Sequence, residues 1–176
     1  MAVPPPKMAH PLRKQGSPMK HRLDYAKAAP AGYKALGSVH SYIHGCGLEK
    51  ELIELVYLRV SQLNGCAYCL DSHSRDLLKQ GVSLEKIMLL AAWHEALPLF
   101  TARERAALAW AEVVTQVAQT QVPQADYVSV AAMFSEKEVA DLTLAISLMN
   151  ALNRVAISFR KVPTAVKAHQ EHLNDE

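Results

Sequence analysis

The stretch Glu49–Leu63 constrains this chain more than any other. Leu52, Ile53, Leu55, Val56, Tyr57, Leu58, Val60 and Leu63 point to every side of a helical wheel. A helix that is apolar all round has no solvent face, so it is buried in a core or in a subunit interface. In a chain of 176 residues, this favours an oligomer. That length suits one ordinary domain, with a core large enough to need no disulfide or metal staple. Asn64 and Gly65 follow at once, and both residue types end helices in the left-handed conformation.

The rest of the chain also reads as helical. Ala, Leu, Glu, Lys and Gln are plentiful, and alternating β-branched runs are few. A first helix is expected over Ala31–Tyr42, a second over Glu49–Leu63, and a third over Cys66–Gln80, stopped by Gly81. Ser83 caps a fourth that ends near Glu95, before Pro98. Thr101-Ala-Arg-Glu104 is a capping box and opens a fifth, to about Ala118. Pro123 starts a short sixth. A second capping box, Ser135-Glu-Lys-Glu138, opens a seventh to about Phe159, and Pro163 blocks its continuation. The expected fold is therefore an all-α bundle of about seven helices, over residues 23–170. Residues 1–22 hold five prolines among Lys, Arg and His and read as a flexible basic arm, within which Met19 is an alternative natural start. Residues 171–176 read as a polar tail, frayed from Gln170 onward.

Charge and hydropathy exclude several classes. Lys plus Arg is 19 against 17 Asp plus Glu, so nothing calls for a nucleic acid or an anionic membrane. The longest apolar run is Ile87–Trp93, far short of the ~20 residues of a membrane span. No signal-peptide core is seen, so the expected location is the cytoplasm. Three cysteines are too few for a disulfide scaffold; in such a chain they read as catalytic, metal-binding or inert.

The informative segment runs from Glu54 to His73. Cys66 and Cys69 are three apart, and His73 is four beyond Cys69, so on one helix they share a face with Leu70 and Leu77. Asp71, Ser72, Arg75 and Lys79 take the other side. Cys66 falls at the start of its helix, where free N–H groups and the dipole stabilise a thiolate. A Cys-x-x-Cys placed so lowers a thiol pKa and can form a reversible disulfide across one turn. His73 can exchange a proton with Cys69 one turn away. In one straight helix Glu54 would lie about 18 Å from Cys66. If the chain reverses at Asn64-Gly65, Glu54 and His73 come level within about 3 Å, as a carboxylate–imidazole–thiol relay requires.

Blander readings stand beside these. The cysteines could be two core residues, or half a zinc site with His73 and a fourth ligand from His40, His44 or Cys46. Glu54 alone is as readily a solvated helix position, and His73 alone a core histidine. Taken together, with the turn between them, the four favour redox chemistry. Cys46 reads as an ordinary free thiol, or an intermolecular one. His40 and His44, four apart, suit a surface or interface role better than a metal. Trp93 and Trp110 read as core or interface anchors.

The run Glu54-Leu-Val-Tyr-Leu-Arg59-Val-Ser-Gln-Leu-Asn-Gly-Cys66-Ala-Tyr-Cys69-Leu-Asp-Ser-His73 resembles the core motif of the AhpD-like alkylhydroperoxidases, of the carboxymuconolactone decarboxylase superfamily. Trp93 and the stretch Phe100–Thr115 match that family's downstream segment, so the resemblance covers about Ala31 to Phe159. It implies an all-α fold assembled as homotrimers or homohexamers, and reduction of a hydroperoxide without metal or cofactor. It implies that Cys69 is oxidised to a sulfenic acid, that Cys66 resolves it as a disulfide, and that Glu54 and His73 relay protons. An external dithiol, such as a lipoyl or thioredoxin-like protein, would then reduce the pair. One departure stands out. The family's peroxidases carry histidine before the second cysteine, where this chain has Tyr68. A phenol of pKa near ~10 cannot shuttle protons as an imidazole does, which shortens the relay and slows turnover. The alternative is a non-enzymatic redox sensor or scaffold whose cysteine pair switches oligomer packing. A third reading, decarboxylation or lactone chemistry, would gain from a cleft capped by basic residues near His73.

Overall fold

The structure, a computed structural model, describes residues 21–174. The expected arm therefore lies outside the described residues except for His21 and Arg22, as do Asp175 and Glu176 of the expected tail. Asp24 caps a single turn, α1 (Tyr25–Ala28), by accepting the Lys27 N–H at 3.2 Å. Pro30, with φ preset for a helix, opens α2 (Pro30–Gly45). Then come α3 (Lys50–Asn64) and α4 (Ala67–Lys79), joined by Gly65 in the left-handed conformation (φ 68°, ψ 35°).

Ser83 does cap a helix, α5 (Leu84–Leu89), by accepting the Lys86 N–H. The expected run to Glu95 is not continuous. It tightens into a 3₁₀ turn at Leu90–Ala92, and a second 3₁₀ turn, Leu97–Leu99, carries Pro98. Here Glu95 and Ala96 bond three residues back, while the Trp93 indole is drawn inward to Glu112. The Thr101–Glu104 capping box forms in full and opens α6 (Ala102–Thr115). A break at Gln116 (φ −97°, ψ 29°) separates it from one turn, α7 (Val117–Thr120). Pro123 precedes α8 (Gln124–Ala131), and the second capping box opens α9 (Glu136–Phe159). After Pro163 the chain forms α10 (Thr164–Asn174), so the segment expected to fray from Gln170 is helical as far as Asn174. Among the described residues there is no strand.

Helix α3 is the axis of the bundle and packs against α4, α6 and α9. Leu52 through Leu58, Val60 and Ser61 are all buried. The chain's own helices thus cover the all-round apolar segment, and its burial does not require a second subunit. The stretch Glu136–Leu173, which begins with α9, is long and apolar enough, by length and composition, to cross a membrane. Its apolarity instead serves this core: Leu142, Ala145, Ile146 and Met149 pack with Ile53, Val56, Tyr57 and Val60 of α3.

Candidate functional site

The turn between α3 and α4 fixes the site. Asn64 is not itself left-handed; its side-chain amide donates to Asn150 Oδ1 at 3.0 Å and Asn153 Oδ1 at 2.9 Å on α9. Asn153, fully buried, donates in turn to Ser61 Oγ at 3.1 Å. This amide network pins the turn to α9. The sequence reading missed it, though two asparagines one turn apart in an apolar helix were its signal.

Cys66 is the N-cap of α4, with its Sγ facing the Cys69 N–H at 3.4 Å. The Cys66 and Cys69 sulfurs are joined as a disulfide, with Cα atoms 5.4 Å apart, inside the span a disulfide needs. They are 1 % and 4 % exposed. The reversal at Gly65 brings α4 back along α3, and His73 Nδ1 lies 2.8 Å from Glu54 Oε2, as the axial arithmetic expects. Glu54 is buried, not solvated. The Tyr57 ring leans on His73 with centroids 5.2 Å apart. The Tyr57 hydroxyl is buried without a hydrogen-bond partner among the described residues, and burial, then the Glu54 charge, pushes its pKa up, so it stays neutral.

Cys69 and His73 open onto a cleft of about 260 Å³. Its walls come from distant parts of the chain: Tyr25, Tyr33 and His40 from α1 and α2, Tyr68 from α4, and Ala156 and Lys161 from α9 and the residues just after it. Ser72, expected on the water side of α4, also lines it. So does His40, expected at a surface or interface. Its Nε2 lies 3.0 Å from His44 Nε2, and burial together with the neighbouring His44 pushes its pKa down, which favours the neutral ring. A second depression, of about 380 Å³, reaches Cys66 and is lined by Arg22, Arg160, Lys161 and Tyr68.

The other residues singled out lie apart. Cys46 is a free thiol near Asp141 of α9, whose Lys137 donates to the Cys46 carbonyl at 2.8 Å. Trp93 and Trp110 are core anchors, 4 % and 5 % exposed, with indole N–H groups on Glu112 and Thr143. Glu54, His73 and Asp76 bring three ligand atoms within 4.8 Å of one another, the one such cluster among the described residues. Glu54 and His73 already satisfy each other there, and Asp76 binds Lys79 at 2.8 Å. Neither cysteine of the pair nor Cys46 belongs to that cluster.

Known proteins share this architecture. Residues 30–113 match the carboxymuconolactone decarboxylase family. The uncharacterised protein YdfG of Bacillus subtilis is 34 % identical over 140 residues, 80 % of this chain and 95 % of its own. The crystal structure of ATU0492 from Agrobacterium tumefaciens, a protein of unknown function, superposes with a TM-score of 0.79 at 39 % identity, over 82 % of this chain and 98 % of that one. The alkyl hydroperoxide reductase AhpD of Hyphomonas neptunium is 51 % identical over 41 residues, 23 % of each chain. By the family match, the full-length relatives and the shared fold, this chain belongs to the AhpD-like carboxymuconolactone decarboxylase superfamily.

Proposed function

We propose that the protein is a thiol-dependent peroxidase that reduces organic hydroperoxides through a Cys66–Cys69 dithiol/disulfide cycle. The observation that carries this reading is the joined pair at the α4 N-terminus, opening on a cleft beside the Glu54–His73 pair. Cys69 lies in the first turn, where the N–H groups stabilise a thiolate. That thiolate attacks the outer oxygen of the hydroperoxide. The O–O bond breaks, an S–O bond forms, and the leaving alkoxide takes a proton from His73 to become an alcohol. Glu54 orients the imidazole through Nδ1, leaving Nε2 as the nitrogen that exchanges the proton. The Cys66 thiolate then attacks the Cys69 sulfenic sulfur, hydroxide leaves as water after protonation, and the disulfide forms. An external dithiol, lipoyl or thioredoxin-like, returns the pair to thiols and is itself oxidised. A cytoplasmic setting and a homotrimer or homohexamer complete the proposal.

A fold alone does not choose a reaction, so the test is chemical. Cys69→Ser and Cys66→Ser should each lose turnover of an organic hydroperoxide with a dithiol reductant, by more than about a hundredfold. A double variant as active as the wild type would end the proposal. The near-complete burial of both sulfurs favours, as a second reading, a redox sensor that forms its disulfide once and cycles slowly. A size change on oxidation without turnover would select that reading. Lys161 gives the lactone or decarboxylation reading the basic group it needs, but that reading leaves the cysteine pair without a role.

A further inference from the structure

We infer that the cleft at Cys69 selects organic substrates that carry a carboxylate on a small aromatic or apolar body, and that Lys161 is the residue that selects them. The inference rests on that cleft being the substrate site. It begins with the lining. Tyr25, Tyr33 and Tyr68 supply aromatic faces, with Leu36, Met149 and Leu152 beside them. Among the described residues no acidic side chain lines this cleft or the adjoining one at Cys66. Lys161 borders both. The volume lies at the small end for ligand pockets, enough for one ring with a short arm.

Lys161 is held in place by the end of α9. Arg160 takes the left-handed conformation there (φ 53°, ψ 52°), and the Lys161 N–H donates to the Ala156 carbonyl at 2.9 Å. The side chain returns over the tyrosines, with Nζ 3.9 Å from the centre of the Tyr68 ring and 5.7 Å from that of Tyr25. Burial works against the ammonium, but its contacts with Tyr68 and Tyr25 outweigh it and raise the pKa, so the group is charged at neutral pH. Among the described residues no carboxylate lies within 4.0 Å of it. Asp24, which borders a neighbouring depression with Lys161, is engaged with Lys27 instead. A half-buried cation held by aromatic faces, with no counter-ion among the described residues, is suited to receive an anion. It lines the same cleft as Cys69, so the acid group of a bound molecule would meet Lys161 while its body lies along the tyrosines.

The test uses a charged and a neutral ligand of nearly equal shape, benzoate and benzamide. Each is titrated by NMR into the oxidised protein, as wild type, Lys161→Met and Lys161→Arg. Methionine keeps an apolar stem over Tyr68, and arginine keeps the charge. Benzoate should bind the wild type about fivefold more tightly than benzamide, as expected for one half-buried ion pair. The preference should vanish in Lys161→Met, persist in Lys161→Arg and shrink with added salt. Equal affinities in the wild type, no binding of either ligand, or a preference that survives in Lys161→Met would each overturn the inference. Turnover separates it from the proposed function. If an aromatic hydroperoxide acid and its methyl ester are reduced with the same kcat/KM, the peroxidase reading stands and the selectivity falls. If benzoate is preferred and no hydroperoxide is consumed, the selectivity stands and the peroxidase reading falls.

Discussion

Among the described residues two carboxylate–imidazole pairs are found, and they differ in how fully the carboxylate is occupied. Glu112 accepts from His94 at 3.2 Å, from the Trp93 indole at 2.8 Å and from the Arg59 guanidinium at 2.8 Å. Burial opposes its charge, yet the bonds from Trp93 and His94, with the Arg59 charge, hold its carboxyl below the usual carboxylate range. Its histidine is 61 % exposed. Glu54 has one donor among the described residues, His73, and that imidazole faces the cleft with Cys69. A carboxylate saturated by fixed donors cannot exchange a proton without losing its bonds. One whose single partner is itself titratable can. The same residue types make a structural tie in one place and a candidate relay in the other.

Removing the tie should give the largest change in stability. Glu112→Ala leaves the Arg59 guanidinium, only 13 % exposed, without its counter-charge. The expected loss is about 2 kcal/mol, discounted from a fully buried pair because Glu112 is 21 % exposed, or a Tm lower by about 4–8 °C. Peroxide consumption per folded molecule should not change. The comparison also has a pH arm. Because the folded-state pKa of Glu112 is depressed, its contribution is present above the ordinary value of 4.5 and is lost as pH falls through the lower folded value. Thermal melts taken from pH 6 downward should therefore show Tm falling below about pH 4.5 less steeply in Glu112→Gln than in the wild type. Parallel curves would remove Glu112 from the ties that hold the fold.

The converse variant is Glu54→Gln. The amide can keep a hydrogen bond to His73 but carries no charge. The fold should hold, and the disulfide should still form. The rate of thiolate attack should drop about tenfold, and the pH profile of thiol alkylation should move upward, because the Cys69 thiolate loses the support of the ring proton. Stopped-flow peroxide reduction and iodoacetamide kinetics across pH 5–9 read both effects. An unchanged profile would place Glu54 with Glu112, as a structural carboxylate.

The sequence carries this contrast unevenly, and the reason is physical. The register of Glu54 and His73 is legible because it needs only helix rise, a reversal at Gly65 and counting. The two capping boxes and the span of α9 are legible because their signals are local. The cleft is not. Its walls join Tyr25 and Tyr33 to Lys161, more than a hundred residues later, through packing that leaves no periodic mark. The Glu112 tie is hidden for the same reason, since Arg59, Trp93 and Glu112 come from three separate segments. The end of α7 is illegible because the positive-φ residues that follow it, Gln121 and Val122, are not glycines. And α3, apolar all round, reads equally as a core helix or an interface helix in a list of residues; three neighbouring helices of its own chain pack on it.

The smallest expected effect falls on Tyr68. The resemblance to the peroxidases makes this tyrosine a missing imidazole, and restoring it should then speed the reaction. The cleft argues that little is missing. His40 reaches it from α2 and lines it together with Cys69 and His73, and its low proton affinity keeps the ring available as a base. The Tyr68 ring, meanwhile, carries Lys161 on its face at 3.9 Å, and an imidazole would give up part of that cation–π contact, worth about 0.5–1 kcal/mol. Tyr68→His should therefore change peroxide turnover by less than about threefold, with its alkylation profile lying on that of the wild type. His40→Gln should lose about tenfold, and the double variant should recover part of that loss, since one imidazole can replace the other. A large gain from Tyr68→His alone would show that His40 does no proton work. The cleft would then have a single working imidazole, His73, and the contrast with Glu112 would rest on that one ring.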